Sequence, residues 1–408
     1  MKILYIAFSQ SIHTARWVSQ ISDQGWDLHL FPSLDNGETH KDLKNIAVYH
    51  SFYGRQEGIK STVKLHGLPL LSKRVALAIR LFVREVFPRY RVWQLVRLIR
   101  KIKPDLIHSM EIQAGGYLAL EAKKVLGKKF PPWIVTNWGS DIYLFGRLDK
   151  HEAKIREVLA SCDFYSCECQ RDVKLAKEYG FSGTILPVFP NSGGFDLEQI
   201  SKFRPSTPTS KRHLILLKGY QNWAGRALVG LRALERCADL LKGSYEIVLC
   251  SVLQHPLIPE SDVKIAAELF TKATGVPSRI IPNNTPHQEI LSLHGQARLS
   301  LGLSISDAIS TFSLEAMAMG AFPIQSWTSC AGEWIKDGET GLLVPPEDPE
   351  IIEKAIRKAL TNDQLVDTAA KKNYSLVREK LDQKLIKQKA INYYQTIYQN
   401  IISKKNKN

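Results

Sequence analysis

Residues 299–326 read LSLGLSISDAISTFSLEAMAMGAFPIQS. An apolar run over 299–304 stops at a polar turn, Ser306-Asp307. Ser310 or Thr311 then offers a capping hydroxyl for a short helix that ends at Gly320, with Pro323 just beyond. A second apolar run, 322–326, follows at once. Strand, helix and strand in so short a span predict a crossover unit joining two parallel strands.

The same alternation extends in both directions. Upstream, strand-like runs stand at 2–8, 26–31, 46–52, 105–110, 133–138, 164–169 and 184–189, with helical patterns at 14–22, 116–126, 151–160 and 172–179. Several runs are apolar throughout, as strands buried on both faces are. Between 187 and 208 the pattern breaks into turn chemistry, Pro190-Asn191-Ser192-Gly193-Gly194 and Pro205-Ser206-Thr207-Pro208. A second series then begins, with strands at 214–217, 245–251, 278–282, 299–304, 322–326 and 341–345. The reading is α/β: two Rossmann-like domains, 1–195 and 210–384, whose parallel sheets face a central cleft where ligands sit at strand carboxyl ends. The tail is helical from 384 to 402, with apolar positions at Ile386, Ile391, Tyr394, Ile397, Tyr398 and Ile401. Residues 385–408 are expected to cross back onto the first domain.

The balance of the 408 residues, 44% hydrophobic and 23% charged, is that of an ordinary globular protein. No apolar run reaches the roughly 18 residues that span a bilayer, and Met1-Lys2-Ile3-Leu4-Tyr5-Ile6 reads as a buried strand, not a signal peptide. The six cysteines lack histidines at zinc spacing, and several lie in apolar runs, so no metal site is expected and the compartment is read as reducing and cytoplasmic. The net charge of +15 is concentrated: residues 51–103 hold thirteen Lys/Arg against two Glu, a net +11. Leu81, Phe82, Val86, Phe87 and Trp93 interleave with these cations. Such a basic amphipathic surface suits an anionic membrane face, an acidic or phosphorylated acceptor, or nucleic acid, unless it is only a solvated helix face. The first of these gives a peripheral location on the inner membrane face.

The helix expected after Ser310 opens with unpaired amides and a positive dipole end, a seat for a diphosphate. Asp307 precedes it and Glu315 lies about one turn inside. Ionised carboxylates accept hydrogen bonds and so suit the hydroxyls of a ribose and a hexose. A diphosphate between two hydroxyl-binding acids is the layout a sugar nucleotide needs.

This segment resembles the donor-site signature of the family 4 retaining glycosyltransferases, which have the GT-B fold. Asp307 and Glu315 are separated by seven residues, and Ala316-Met317-Ala318 and Gly320 follow. The family more often has Glu at the first acid, so the Asp bears on which sugar is bound. Gly332-Glu333-Trp334-Ile335-Lys336-Asp337-Gly338 and Thr340-Gly341-Leu342-Leu343-Val344 match the downstream pattern. The resemblance implies that Asp307 holds hexose hydroxyls, Glu315 the ribose, and the amides of Ser310, Thr311 and Phe312 the diphosphate. It also implies a basic clamp on the phosphates, here Lys218 and Arg226, in reversed order and at a longer interval than usual. In the first domain it points to acceptor-side candidates: Ser11 and His13 after the first strand, Glu111 as a base, and Trp138 and Asp141. The last two lie in Asn137-Trp138-Gly139-Ser140-Asp141, where Trp138 stands in place of the family histidine.

The implied activity is retaining, metal-independent hexosyl transfer from a UDP-sugar with no cofactor. UDP-glucose is the first expectation, with GDP-mannose or UDP-N-acetylglucosamine next. The acceptor is a glycan or lipid-linked saccharide of envelope or exopolysaccharide synthesis. The sequence contains no Asp-x-Asp motif to hold a metal. Other readings are a non-catalytic sugar- or nucleotide-binding protein of the same fold, and a GT-B epimerase. A nucleic-acid partner is not expected, because no recognised motif accompanies the charge.

Overall fold

The computed structural model describes residues 1–70, 72–191, 193–252 and 261–405. Ser192 of the linker turn and the last three residues of the tail lie outside them. The chain divides into two compact units, Met1–Gly193 with Leu385–Asn408, and Gly194–Lys384.

The first unit is built on eight strands: β1 (Lys2–Ala7), β2 (Asp27–Pro32), β3 (Ile46–Tyr53), β4 (Val63–Pro69), β5 (Leu106–Met110), β6 (Trp133–Thr136), β7 (Phe164–Ser166) and β8 (Thr184–Ile185). They are parallel, in the order β4-β3-β2-β1-β5-β6-β7-β8. The chain leaves β1 toward one edge and returns at β5, so the order reverses between these two strands. Their carboxyl ends flank the crevice where open α/β sheets bind ligands.

Alternate residues of β1 serve two cores, as the period of a strand dictates. Leu4 and Ile6 pack with Leu95 and Val96 of the helix Tyr90–Ile102 and Val158 of the helix Asp149–Ser161. Ile3, Tyr5 and Ala7 pack with Trp17 of the helix Ile12–Ser19 and with Ile386, Tyr394 and Ile397 of the final helix, Gln383–Lys405. The tail thus covers one face of the sheet formed by the chain's first residues. Tyr394 Oη accepts from Tyr5 Oη (2.8 Å) and Trp17 Nε1 (2.7 Å) and lies 2.7 Å from His108 Nδ1. Because Tyr394 Oη already accepts twice, its own proton goes to His108 Nδ1, which leaves the ring proton on Nε2, 2.6 Å from Thr136 Oγ1. Burial holds this imidazole neutral, pushing it down to about 3.

The second unit carries β9 (Leu214–Lys218), a two-strand antiparallel hairpin of β10 (Gln221–Asn222) and β11 (Gly225–Arg226), β12 (Glu246–Val252), β13 (Ser278–Pro282), β14 (Ala297–Gly302), β15 (Phe322–Ser326) and β16 (Leu342–Val344). Its main sheet is parallel in the order β13-β12-β9-β14-β15-β16. Here the reversal falls between β9 and β14. The helix Thr311–Met319 is buried on every side from Phe312 to Met319. Phe312 and Ala316 pack toward the sheet residues Leu216 and Val248, while Leu314 and Met317 pack against Ile200 and Val377.

Two expectations need correcting. The stretch 51–103 is not only a basic helical surface: it contains the edge strand β4, which includes Gly67 and Pro69. At a sheet edge both residues are tolerated, because the ladder bonds to one side only. The runs 133–138, 164–169 and 184–189 also end early. After β6 the Asn137 backbone amide makes a last bond to the Ser166 carbonyl (2.9 Å), its side-chain amide donates to Asp172 Oδ2 (2.8 Å), and the chain turns at Gly139 with φ +84°. Among the described residues no helix is long and apolar enough to cross a membrane. Cys162, Cys167, Cys237 and Cys250 are buried free thiols.

Candidate functional site

In the second unit the crevice between β9 and β14 gathers residues far apart in sequence. Lys218 closes β9, and its Nζ lies 3.3 Å from Asp307 Oδ2 and 3.4 Å from Ser310 Oγ. Asp307 and Ser310 belong to the loop between β14 and the buried helix. This loop is braced at several points: the amides of Ile305 and Ser306 donate to the Trp223 carbonyl (2.9 and 3.2 Å), Ser326 Oγ accepts from the Ser304 amide (3.0 Å), and the Ala308 carbonyl accepts from the Cys330 amide (2.7 Å). Trp223 sits at the turn of the β10-β11 hairpin, which gives that small element its purpose. Gly219, next to Lys218, has no room for a side chain: a Cβ there would lie 2.5 Å from Val252 and 2.8 Å from the Cys250 carbonyl.

Ser310 stands at the N-cap of the helix Thr311–Met319, but its side chain makes no capping hydrogen bond. Its hydroxyl faces Lys218 instead. A partly buried ammonium beside the start of a helix without a side-chain cap is an anion-binding arrangement, since cation and dipole act in the same sense.

Glu315, on the second turn, is buried, and its Oε1 lies 2.7 Å from His287 Nε2. The fully buried His294 has Nε2 3.8 Å from Glu315 Oε2 and its ring edge-on to Phe312, centroids 4.5 Å apart. Burial pushes His294 down to about 4 despite the carboxylate beside it, so it is neutral near pH 7. Both histidines come from the helix His287–Gln296 and are spaced i, i+7, which puts them on one helical face. Sequence reading passed over them. The seven-residue spacing was the available signal, but only the packing of two helices brings it to Glu315.

Arg226 is held elsewhere: it pairs with Glu347 and donates to the Asn222 carbonyl. Thr311 opens the buried helix, and Phe312 lies on its sheet-facing side.

The first-unit candidates gather at the β1/β5 crevice. Ser11 caps the helix Ile12–Ser19, accepting from the His13 amide (3.2 Å). The His13 ring lies 5.7 Å from that of Trp138, which also packs on Phe8 at 6.0 Å. Asp141 Oδ2 accepts from the amides of Trp138 (3.0 Å) and Ile112 (3.3 Å). Glu111 is buried at φ +97°, and its carboxylate accepts from the amides of Ala114 (2.7 Å) and Gly115. Both acids therefore anchor backbone turns.

Burial pushes Glu111 up to about 8, with Asp141 adding to the effect and outweighing the two amide donors; burial likewise raises Asp141 to about 6. The folded chain then keeps a proton that the unfolded chain has already released, so stability falls as pH rises toward 8 and levels beyond it. Above about pH 7.5 the histidines, whose ordinary value is near 6.5, are almost all neutral in the unfolded chain as well as in the fold, so between about pH 7.5 and 8 they do not mask this. We expect the melting temperature to fall across that window, and the fall to flatten in Glu111→Gln. A level or rising profile in the parent would contradict the assignment.

Two parallel α/β units of this kind are the GT-B fold. The chain superposes on sucrose-phosphate synthase of Thermosynechococcus elongatus with a TM-score of 0.70 at 14% identity, covering 98% of this chain and 100% of that one. It superposes on the trehalose 6-phosphate synthase of Burkholderia multivorans at 0.69 and 11%, covering 97% and 98%. For HepE of Anabaena in complex with UDP and glucose the values are 0.66 and 13%, covering 97% and 100%. No curated protein matches the sequence. The family model for glycosyl transferase 4-like proteins matches residues 2–163, and that for glycosyl transferases group 1 matches residues 268–376. The chain thus carries the glycosyl transferase 4-like signature in its first unit and the group 1 signature in its second.

Proposed function

We propose that this glycosyltransferase moves a hexose from UDP-glucose to a glycan or lipid-linked saccharide, with retention at the anomeric carbon and without a metal ion. The observation that carries the reading is the meeting of Lys218 with Asp307 and Ser310 where the strand order reverses. The diphosphate lies against Lys218 and the amides of Ser310, Thr311 and Phe312, with Arg226 swinging from Glu347 to assist. Asp307 accepts from the hexose hydroxyls and Glu315, steadied by His287, from the ribose.

As the bond from the anomeric carbon to the phosphate oxygen breaks, charge grows on the leaving diphosphate. Lys218 and the helix start are positioned to stabilise it. The acceptor oxygen attacks from the same face and passes its proton to the departing phosphate oxygen. Ser11, His13, Glu111, Trp138 and Asp141 shape the acceptor side, Glu111 and Asp141 through the turns they hold. HepE, of the same fold, is known in complex with UDP-glucose, which favours the glucosyl donor over GDP-mannose or UDP-N-acetylglucosamine.

Thermal unfolding with each nucleotide sugar tests this. A ligand that binds only the folded state at a hundred times its Kd adds about 2.7 kcal/mol. UDP-glucose is expected to raise the melting temperature, and more than GDP-mannose does. If no UDP compound shifts it, the donor assignment fails. If UDP-glucose binds but is never turned over with any saccharide acceptor, the catalytic assignment fails.

A further inference from the structure

The helix Lys73–Val86 is oriented opposite to an ordinary surface helix. Such a helix turns its apolar stripe inward and its charges to water. Here Arg80 is buried, its Nη1 donating to the Phe52 carbonyl (2.9 Å), while Leu77, Leu81, Phe82 and Val86 stand about half exposed or more. Phe82 is 67% exposed, and just beyond the helix Phe87 is 61% and Trp93 51% exposed. In the next helix Arg91 also turns inward, with its guanidinium 3.9 Å from the centroid of the Phe31 ring. The exposed cations Arg74, Arg84, Arg89 and Arg97 border the same apolar side chains, and Glu85 is the one acid between residues 72 and 103. A groove of about 520 Å³ opens here, walled by Phe87, Tyr90 and Trp93 and by Arg89 and Arg97.

We propose that this face docks on a bilayer bearing anionic headgroups. The helix lies in the interface plane with Phe82, Phe87 and Trp93 in the boundary between headgroups and acyl chains, and the arginines on lipid phosphates. Burying arginines to expose phenylalanines is costly in water and favourable only where the outer medium is itself apolar. Charge decides between occupants. Two copies of the chain meeting here would each bring a net +11 from residues 51–103, which opposes pairing, whereas each cation near an anionic surface adds about fivefold in affinity. The groove, apolar with two guanidiniums, fits a phosphate headgroup together with the top of its chains. The proposal is independent of the donor reading, because every residue it uses lies outside the crevices described above.

The test is sedimentation of the whole protein with phosphatidylcholine vesicles, with and without phosphatidylglycerol. Binding is expected only to the mixed vesicles, with quenching by brominated lipid that disappears in Trp93→Phe. The double variant Phe82→Ser/Phe87→Ser should lose about tenfold or more in partitioning while its melting temperature stays that of the parent, since both rings are exposed. Arg89→Gln/Arg97→Gln should lose about tenfold or more as well. Failure to bind mixed vesicles would overturn the proposal. So would binding that the phenylalanine variant leaves unchanged, which would indicate a soluble polyanion as partner. Concentration-dependent dimers abolished by the phenylalanine variant, without vesicle binding, would assign the face to a second copy instead.

Discussion

Replacing Lys218 with alanine is expected to lower kcat by about 10²- to 10³-fold, the range seen when one preorganised group facing a developing anion is removed. The side chain is largely buried, and its ammonium lies between Asp307 and the start of a helix whose side-chain cap is missing. In that setting its charge is worth more than at an open surface. The competing role is structural, with the lysine serving only to neutralise Asp307. Binding of UDP, which has no hexose for Asp307 to meet, separates the two. If neutralisation were the whole role, Lys218→Ala would bind UDP as the parent does; if Lys218 faces the diphosphate, UDP affinity falls together with kcat. Lys218→Arg, which keeps the charge, should recover part of the loss. A kcat within about twofold of the parent in Lys218→Ala would end the assignment.

The largest effect on stability is expected at the opposite end of the chain. Tyr394→Phe removes one oxygen that meets Tyr5, Trp17 and His108, and so leaves three polar groups without their partner in the interior of the first unit. At about 1–3 kcal/mol for each orphaned group, and less than additive, the loss comes to about 3–5 kcal/mol. Tyr394→Ala adds a cavity and should cost more. Against the 5–15 kcal/mol that holds a domain folded, either change is severe. Denaturant unfolding checks this: the transition of the first unit should move to lower urea while that of the second stays in place. A shift corresponding to less than about 1 kcal/mol would show that water or rearrangement satisfies the network.

The same two sites show how much could be read beforehand. Asp307, Ser310 and Glu315 were legible because the turn, the helix and its ending are local: their chemistry lies within a stretch of fourteen residues. Lys218 was visible as a cation at a strand end, but not as the partner of an acid 89 positions away. His287 and His294 carried a shared helical face and nothing to say what it met. Arg226 looked equivalent to Lys218 in sequence, yet Glu347 from another segment holds it. In the first unit Glu111, as a base, and Asp141 were acceptor-side candidates, and the fold buries both on backbone amides.

Periodicity and turn chemistry are properties of neighbours along the chain, so residues 299–326 by themselves established the strand-helix-strand unit, and the repeated alternation established two parallel sheets. Which strand lies beside which is a property of the whole, because crossovers of similar length can return on either side of a sheet. The tertiary structure alone decided that β9 and β14 are adjacent, and with that where Lys218 meets Asp307. The return of the last helix to the first domain was expected from the sequence, but which face of the sheet it covers, that of Ile3, Tyr5 and Ala7, was decided by the tertiary structure. The helix Lys73–Val86 shows the limit most plainly: its amphipathic pattern was in the sequence, but that Arg80 points inward and Phe82 outward depends on what the neighbouring strand left to be filled.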